Sequence, residues 1–147
     1  MIKNAEYFMR QAILEGRKAL PHCRPNPPVG CVIVKDGEII ARGHTNKPGS
    51  DHAEAMALKQ IPEHIDGLEL FVTLEPCSFF GRTPSCAKNI ARRQVKSVHV
   101  GMIDPHPKNR GAGIQILEAA NIEVVIGVLA SEIVAELSPY LTVALDT

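Results

Sequence analysis

The chain has 147 residues, of which 45% are hydrophobic and 22% charged, the proportions of a globular protein with one domain. Sixteen basic residues balance sixteen acidic residues, so the formal net charge is zero, and aromatic residues make up only 4%. Proteins that hold polynucleotides usually have a basic face or aromatic stacking platforms, so this composition favours a small-molecule ligand over nucleic acid.

Hydrophobic spacing predicts helices and strands in the order α-β-β-α-β-α-β-α-β-α. The predicted helices repeat apolar residues at every third or fourth position, and the predicted strands are short β-branched runs. In chain order, the segments are a helix over 7–20, strands over 29–34 and 38–43, a helix over 52–60, a strand over 68–74, a helix over 84–93, a strand over 96–101, a helix over 111–120, a strand over 123–128 and a helix from 129 until Pro139.

Turn-forming residues define where several of these elements begin and end. The segment Pro25-Asn26-Pro27-Pro28 can be neither helix nor central strand, so it predicts a fixed, extended loop. Lys35-Asp36-Gly37 predicts a hairpin turn. Ser50 or Asp51 is expected to cap the second helix, and Pro84 is expected in the first turn of the third.

The order of the elements predicts a single α/β domain over residues 1–147. The hairpin strands should pair antiparallel, and crossover helices should join the later strands in parallel. We therefore expect a three-layer α/β/α sandwich around one mixed five-stranded sheet. After Pro139, residues 140–145 alternate apolar and small side chains, which predicts an edge strand or a subunit contact and hence a homo-oligomer.

The N-terminal residues, the lack of a long apolar run and the cysteines indicate the cellular compartment of the protein. Residues 1–6 lack the pattern of a secretion signal, and no run of about 18 apolar residues could span a membrane. Four cysteines at these spacings favour a reducing compartment over a disulfide framework. We expect a cytoplasmic protein without membrane contact, in which Cys23 and Cys31 are free thiols.

One histidine and two cysteines form the most informative pattern: His52, followed two residues later by Glu54, then Cys77 and Cys86. An imidazole and two thiolates are three protein ligands, the number that a catalytic zinc site uses when it keeps one position for water. Glu54 can move protons beside that water. Zinc deaminases of heteroaromatic rings use this set in the form H-x-E…P-C-x-x-C, whereas eight residues separate the cysteines here. His52 and Cys86 should begin helices, where backbone N–H groups favour thiolate and hydroxide.

Other interpretations of this pattern stay open. A structural zinc site would more often have four protein ligands, and the spare histidines, His44 and His64, have no motif-like spacing. A non-catalytic zinc domain would have no use for the Glu54 carboxylate. A nucleic-acid deaminase, such as a tRNA-editing enzyme, could have the residues that follow His52, but the neutral charge and the long cysteine spacing oppose it.

Several stretches together resemble the pyrimidine deaminase of riboflavin biosynthesis. They are residues 25–33, 52–54, 73–86 with Gly-Arg-Thr-Pro between the cysteines, and 103–107 with 111–114. The resemblance implies a cytidine-deaminase-like fold, one Zn²⁺ per chain and hydrolysis of an exocyclic amine on a ribosylaminopyrimidine phosphate. Many members carry a reductase domain after the deaminase. At this length we expect the deaminase alone, with a separate reductase acting on the product.

The resemblance also implies roles for individual residues. The zinc ligands would be His52, Cys77 and Cys86, and Glu54 would act first as general base and then as general acid. The implied substrate contacts are Asn26 to the polar edge of the ring, the Ala53 backbone N–H to a ring carbonyl, and Arg82 to a phosphate. Asn26 could instead satisfy its own turn, and Arg82 could be a solvated surface residue.

Three positions around the family's substrate pocket depart from its pattern. Where the family has a histidine directly after Cys-Ser, this chain has Phe79, and where it has the asparagine of D-P-N-P, this chain has His106. The family also has a histidine seven residues before the zinc histidine, and this chain has Thr45 there. Because the zinc set is intact, altered pocket walls favour an altered substrate. A related aminopyrimidine or pterin-like precursor of a specialised pathway is therefore the alternative substrate.

Overall fold

The helices and strands follow the predicted order in a computed structural model, which describes residues 4–79 and 84–145. Every predicted strand is present, with each end within two residues of the expected position. In chain order the elements are α1 (Ala5–Arg17), β1 (Gly30–Lys35), β2 (Glu38–His44), α2 (Ala53–Leu58), β3 (Leu68–Leu74), α3 (Cys86–Arg92), β4 (Val95–Met102), α4 (Ala112–Ala119), β5 (Glu123–Ile126) and α5 (Ala130–Leu145).

The strands form one mixed five-stranded sheet in the order β2-β1-β3-β4-β5. β1 pairs antiparallel with β2 and β3, whereas β3, β4 and β5 run parallel. In the hairpin turn, Asp36 and Gly37 have φ values of 52° and 80°, which is the type I′ geometry that an Asp-Gly pair favours. α3 and α4 are the crossovers between the parallel strands. The predicted sheet and its strand directions are confirmed.

Helices cover both faces of the sheet, which confirms the predicted three-layer architecture. Gly30 packs against α1, because a β-carbon there would lie 1.8 Å from the carbonyl oxygen of Ala12. Gly43 of β2 pairs with Cys31, the residue after Gly30, and it packs against α2 at the carbonyl oxygen of Ala53. Successive strand residues point to opposite faces, so α1 and α2 lie on opposite sides. α3 and α4 continue the α2 layer.

α5 lies beside α1, to which two exposed ion pairs join it. Arg10 of α1 meets Glu132 of α5 at 2.8 Å, and Arg17 meets Glu136 at 2.8 Å. Exposed pairs of this kind contribute about 0–1 kcal/mol each, so they align the two helices more than they stabilise the fold. Within the described residues, no helix has the length and hydropathy of a membrane span.

α5 continues through Pro139, so the predicted end of this helix is wrong, as is the edge strand that was one of the two alternatives for residues 140–145. Helix, and not an edge strand, extends to Leu145, with Pro139 in its interior. A proline inside a helix costs about 3 kcal/mol. On the inner face, Ile133, Leu137 and Leu141 are all nearly buried, and their spacing runs past Pro139 without interruption. Of the three, only Leu141 lies beyond Pro139, and its burial, about 1.5–3 kcal/mol, offsets much of the cost of the proline.

Candidate active site

The candidate site lies at the edge of the sheet where β3 and β4 end. Leu74 of β3 pairs with Met102 of β4, so the residues that follow both strands emerge side by side. β1 runs antiparallel to β3, which brings the proline-rich segment before β1 to the same edge. Ligands of α/β proteins commonly bind at the carboxyl ends of parallel strands.

His52 occupies the N-cap position of α2, in an extended backbone conformation with φ −75° and ψ 168°. The prediction that Ser50 or Asp51 caps this helix is wrong. The Asp51 carboxylate instead accepts a hydrogen bond from Lys59 at 2.6 Å. Because the chain is extended at His52 and helical from the next residue, the imidazole projects from the start of α2.

The start of α3 folds onto Cys77 and brings the second cysteine to the first. Cys86 is the first residue of α3, which Ser85 caps by accepting a hydrogen bond from the Lys88 N–H. The Cys86 N–H donates to the Cys77 sulfur at 3.2 Å, and the Ser85 hydroxyl donates to the Cys77 carbonyl at 2.8 Å. These contacts join the two cysteines across the eight residues that separate them.

The three predicted ligand groups converge with spacings that suit a tetrahedral ion. Nδ1 of His52 lies 3.3 Å from the Cys86 sulfur and 3.8 Å from the Cys77 sulfur. A tetrahedral zinc with ordinary Zn–N and Zn–S bonds sets such N···S separations at ~3.6 Å. In the described part of the chain, these three ligand atoms lie within 4.8 Å of one another, and no fourth histidine, cysteine or carboxylate joins them. The donor set therefore fits zinc with one position left for a non-protein ligand.

Glu54 lies beside these groups and is nearly buried, with 5% of its surface exposed. Burial raises the pKa of the Glu54 carboxyl to about 7, against the lowering effect of the nearby His52 charge. A hydrogen bond with Cys86 lowers the pKa of the Cys77 thiol, and the same contact, together with burial, raises the pKa of the Cys86 thiol. One of the two sulfurs is thus readily a thiolate, which is the form that binds zinc.

A cavity of about 280 Å³ opens onto this cluster. Four of the proposed substrate-binding residues line it: Asn26, Thr45, Ala53 and Phe79. His106 packs against Phe79, with the centroids of the two rings 5.9 Å apart. Arg82 lies outside the described residues. The remaining two cysteines, Cys23 and Cys31, are buried free thiols, as predicted.

Thr45 uses its hydroxyl to hold the proline-rich loop. The hydroxyl donates to the Pro27 carbonyl at 2.9 Å and accepts from the Val29 N–H at 3.0 Å. A threonine hydroxyl has one hydrogen, so Thr45 has no second donor for a ligand. The Thr45 hydroxyl is therefore used by the proline-rich loop, which also carries Asn26.

Sequence analysis missed two cavity-lining carboxylates, Glu75 and Asp104. Both could have been predicted from the sequence, because Glu75 directly follows β3 and Asp104 lies two residues after the end of β4, its parallel neighbour. Carboxyl ends of parallel strands share an edge, so an acidic residue after each strand should have been expected near Cys77. In the segment Asp104-Pro105-His106, only His106 was predicted as a site residue.

Comparison with known proteins identifies the family. Residues 2–102 match the family model described as the cytidine and deoxycytidylate deaminase zinc-binding region. The chain is 44% identical over 135 residues to riboflavin biosynthesis protein RibD of Chlamydia trachomatis. This alignment covers 92% of this chain and 36% of that protein. It therefore spans little more than a third of the length of this relative.

Two solved structures show the same fold. A diaminohydroxyphosphoribosylaminopyrimidine deaminase/5-amino-6-(5-phosphoribosylamino)uracil reductase from Thermotoga maritima superposes with a TM-score of 0.88 at 40% identity, over 97% of this chain and 41% of that one. The dCMP deaminase of cyanophage S-TIM5 superposes with a TM-score of 0.65 at 32% identity, over 83% of this chain and 95% of that one. Because the family match extends across His52, Glu54, Cys77 and Cys86, the chain belongs to the cytidine and deoxycytidylate deaminase family of zinc-binding aminohydrolases.

Proposed function

We propose that this chain removes an exocyclic amine by hydrolysis from a small aminopyrimidine that carries ribosyl and phosphate groups, a step of riboflavin biosynthesis. The observation that carries the proposal is the convergence of His52, Cys77 and Cys86 beside the buried Glu54, at the base of a cavity. The similar Thermotoga maritima protein, named for a deaminase that acts on a phosphoribosylaminopyrimidine, supports this substrate class.

Zinc held by His52, Cys77 and Cys86 would supply a Lewis acid that makes water nucleophilic near neutral pH. In this proposal the Glu54 carboxylate accepts a proton from the attacking water and later donates it to the departing ammonia. A proton carrier is most effective when its pKa lies close to the working pH, and burial raises the pKa of Glu54 to about 7.

The walls of the cavity would orient the pyrimidine ring. Asn26 lies on a loop that is fixed by its flanking prolines and by the Thr45 hydroxyl, so a contact from Asn26 to the polar edge of the ring costs little entropy. The Ala53 N–H lies in the first turn of the short helix α2 and would meet a ring carbonyl. We assign the phosphate contact to Arg82 on family resemblance.

A second candidate substrate is favoured by the contacts of Phe79. Phe79 lines the cavity and packs on His106, and Lys108 Nζ lies 5.9 Å from the centre of its ring. Together with the occupied hydroxyl of Thr45, this produces a more apolar wall than the histidine and asparagine of the family pattern. Such a wall suits a related aminopyrimidine or a pterin-like precursor, whose flat ring can stack on Phe79.

Ammonia release from the phosphoribosylated diaminopyrimidine of riboflavin biosynthesis tests the proposal. Zinc-loaded protein should release ammonia, and Glu54→Gln should lower kcat by about 100-fold or more because the proton carrier is lost. The exposed Glu63 provides a matched control, since Glu63→Gln should leave kcat unchanged. Equal activity of the Glu54 and Glu63 variants would contradict the role of Glu54.

A variant that restores the family's residues at positions 79 and 106 distinguishes the two candidate substrates. If the pterin-like ring is the substrate, wild type prefers it, and the double variant Phe79→His/His106→Asn shifts kcat/KM towards the riboflavin intermediate. If the riboflavin intermediate is the substrate, wild type prefers it already. Release of ammonia from neither compound would overturn both assignments.

The remaining expectations are part of the same proposal: one Zn²⁺ per chain, a cytoplasmic homo-oligomer and a separate reductase that acts on the product. An oligomer is supported by exposed apolar side chains on two consecutive elements, Ile126 on the edge strand β5 and Val134 on α5, which are 48% and 42% exposed. Light scattering measures the subunit number, and a mass equal to that of one chain would contradict this part.

A further inference from the structure

Glu75 is a buried carboxylate that has no role in the proposed chemistry. It lies between Leu74, the last residue of β3, and the ligand Cys77, and only 3% of its surface is exposed. Its backbone N–H donates to the carbonyl of Met102 at the end of β4. Glu75 therefore joins the segment that carries a metal ligand to the connection between β4 and α4.

Both carboxylate oxygens of Glu75 accept hydrogen bonds from the backbone of that connection. The N–H groups of Asp104 and Gly111 donate to Oε1 at 3.1 and 2.9 Å. The N–H of Ile114, in the first turn of α4, donates to Oε2 at 3.1 Å. Hydrogen bonds to a carboxylate are about twice as strong as those between neutral groups, so one side chain holds both ends of the connection.

Asn109 adds a second set of contacts between the same two segments. Its Nδ2 donates to the Pro76 carbonyl at 3.2 Å and to Oδ2 of Asp104 at 3.4 Å. Its Oδ1 accepts from the Gly113 N–H at 3.2 Å. Gly113 packs directly on Pro76, because a β-carbon on Gly113 would lie 2.0 Å from the Pro76 carbonyl oxygen. The connection is therefore tied closely to the chain just before Cys77.

Asp104 is the residue by which this connection reaches the cavity. It lines the same cavity as Asn26 and Phe79. Its Oδ1 accepts from the His106 N–H at 3.0 Å, and its Oδ2 accepts from Asn109. Each carboxylate oxygen has a second lone pair, so Asp104 can still accept a hydrogen bond from a ligand in the cavity.

We propose that Glu75 is a positioning residue for substrate recognition: it holds Asp104 in the cavity wall, where the Asp104 carboxylate accepts a hydrogen bond from an N–H or O–H group of the substrate. Both oxygens of Glu75 are used by the backbone, so Glu75 acts through Asp104. The proposal rests on the proposed deaminase function, because it needs a substrate rich in donors, and an aminopyrimidine has amine and ring N–H groups.

A double-mutant cycle of Glu75→Gln and Asp104→Ala tests this coupling. Glu75→Gln turns one acceptor into a donor that faces a backbone N–H, so the wall loosens. Each single variant should raise KM about tenfold, the effect of losing one hydrogen bond, with kcat and zinc content within about twofold of wild type. The double variant should raise KM no further than Asp104→Ala alone. Asn109→Ala should act in the same direction and serves as a second variant if Glu75→Gln does not fold.

Arg93 provides the matched control for a structural effect. Its guanidinium also donates three hydrogen bonds to the backbone, to the carbonyls of Leu58, Ile61 and Pro62, at the end of α3 distant from Cys86. Arg93→Gln should lower the melting temperature and leave KM unchanged. An unchanged KM in Glu75→Gln, KM effects that multiply in the double variant, or lost zinc in place of raised KM would each overturn the positioning role.

Amide hydrogen exchange gives a measurement that does not depend on turnover. In Glu75→Gln the amides of Asp104 and Gly111 should exchange faster, because they lose their acceptor, while the amides of β1 keep the wild-type rate. Failure of wild type to release ammonia would refute the proposed function. Wild-type exchange at Asp104 would refute the positioning role, so the two failures are distinguishable.

Discussion

At the scale of single residues, buried carboxylates have different tasks according to what surrounds them. Glu54 is held beside the metal-ligand groups with a pKa raised by burial. Glu75 accepts three backbone N–H groups and carries no chemistry of its own. Glu15, on α1, is 4% exposed and meets Nδ1 of His44 at 2.7 Å and Nζ of Lys18 at 3.1 Å. The residue type alone distinguishes none of these roles.

Glu15 leads to a prediction for the pH dependence of stability. Burial raises its pKa, but the hydrogen bonds from His44 and Lys18 outweigh burial, so the pKa lies below the ordinary 4.5. The contribution of Glu15 is therefore complete above the unfolded-state pKa and is lost as the pH falls through the lower folded-state pKa. Glu15→Gln should lower the free energy of unfolding by about 1–3 kcal/mol at pH 7.

Unfolding of wild type and Glu15→Gln at several pH values tests this prediction. Urea unfolding of wild type and Glu15→Gln should give free energies whose difference begins to shrink as the pH falls below the unfolded-state pKa of about 4.3, and shrinks further as the pH falls through the lower folded-state pKa. A difference that stays constant between pH 7 and pH 3 would show that the charge of Glu15 does not stabilise the fold.

At the scale of elements, local sequence signals predict the strands well and the helix ends less well. β3 was predicted with its observed bounds, because a continuous apolar run between turn residues has one simple interpretation. α5 was predicted to stop at Pro139 because proline disfavours helix, yet the apolar stripe of Ile133, Leu137 and Leu141 continues across it. Tertiary burial decided the end of this helix, and burial against a sheet cannot be read from a local window.

The inner face of α5 should therefore be costly to alter. Leu137→Ala removes a side chain that is 2% exposed and should lower the free energy of unfolding by about 2–5 kcal/mol. Leu14 on α1, which is 46% exposed, is the matched control, and Leu14→Ala should change stability by about 0.5 kcal/mol or less. Equal losses in the two variants, measured by denaturant unfolding, would show that α5 does not pack on the sheet as described.

At the scale of the whole molecule, the metal-ligand groups join elements that are distant in sequence. His52 starts α2, Cys77 follows β3 and Cys86 starts α3. Their spacing in the chain was enough to predict that they meet, because the ligand types and the intervening elements agree. The cavity wall was predicted less completely: Asp104 comes near Cys77 only through the parallel pairing of β3 and β4, and Glu75 acts by a backbone network that leaves no mark in a motif.

Metal removal should therefore destabilise more than the site itself. Chelation of zinc should lower the melting temperature by several degrees, because a ligand that binds only the folded chain stabilises it. Cys86→Ser should lower zinc content and reduce this dependence, whereas Glu54→Gln should retain zinc and melt like wild type. Calorimetry with metal analysis measures both, and one equivalent of zinc per chain is expected. Identical melting curves with and without chelator would contradict the assignment.

The metal-ligand groups and the cavity wall lie largely on different parts of the chain, and this affects how the substrate preference of such a protein can change. The imidazole and the second sulfur stand on helix starts, while Thr45, Phe79 and Asp104 belong to connecting segments. Mutational drift in those connections can change which molecule is accepted and leave the hydrolytic chemistry untouched. Variants at Phe79 should thus change the ratio of kcat/KM between two aminopyrimidines while their zinc content stays that of wild type.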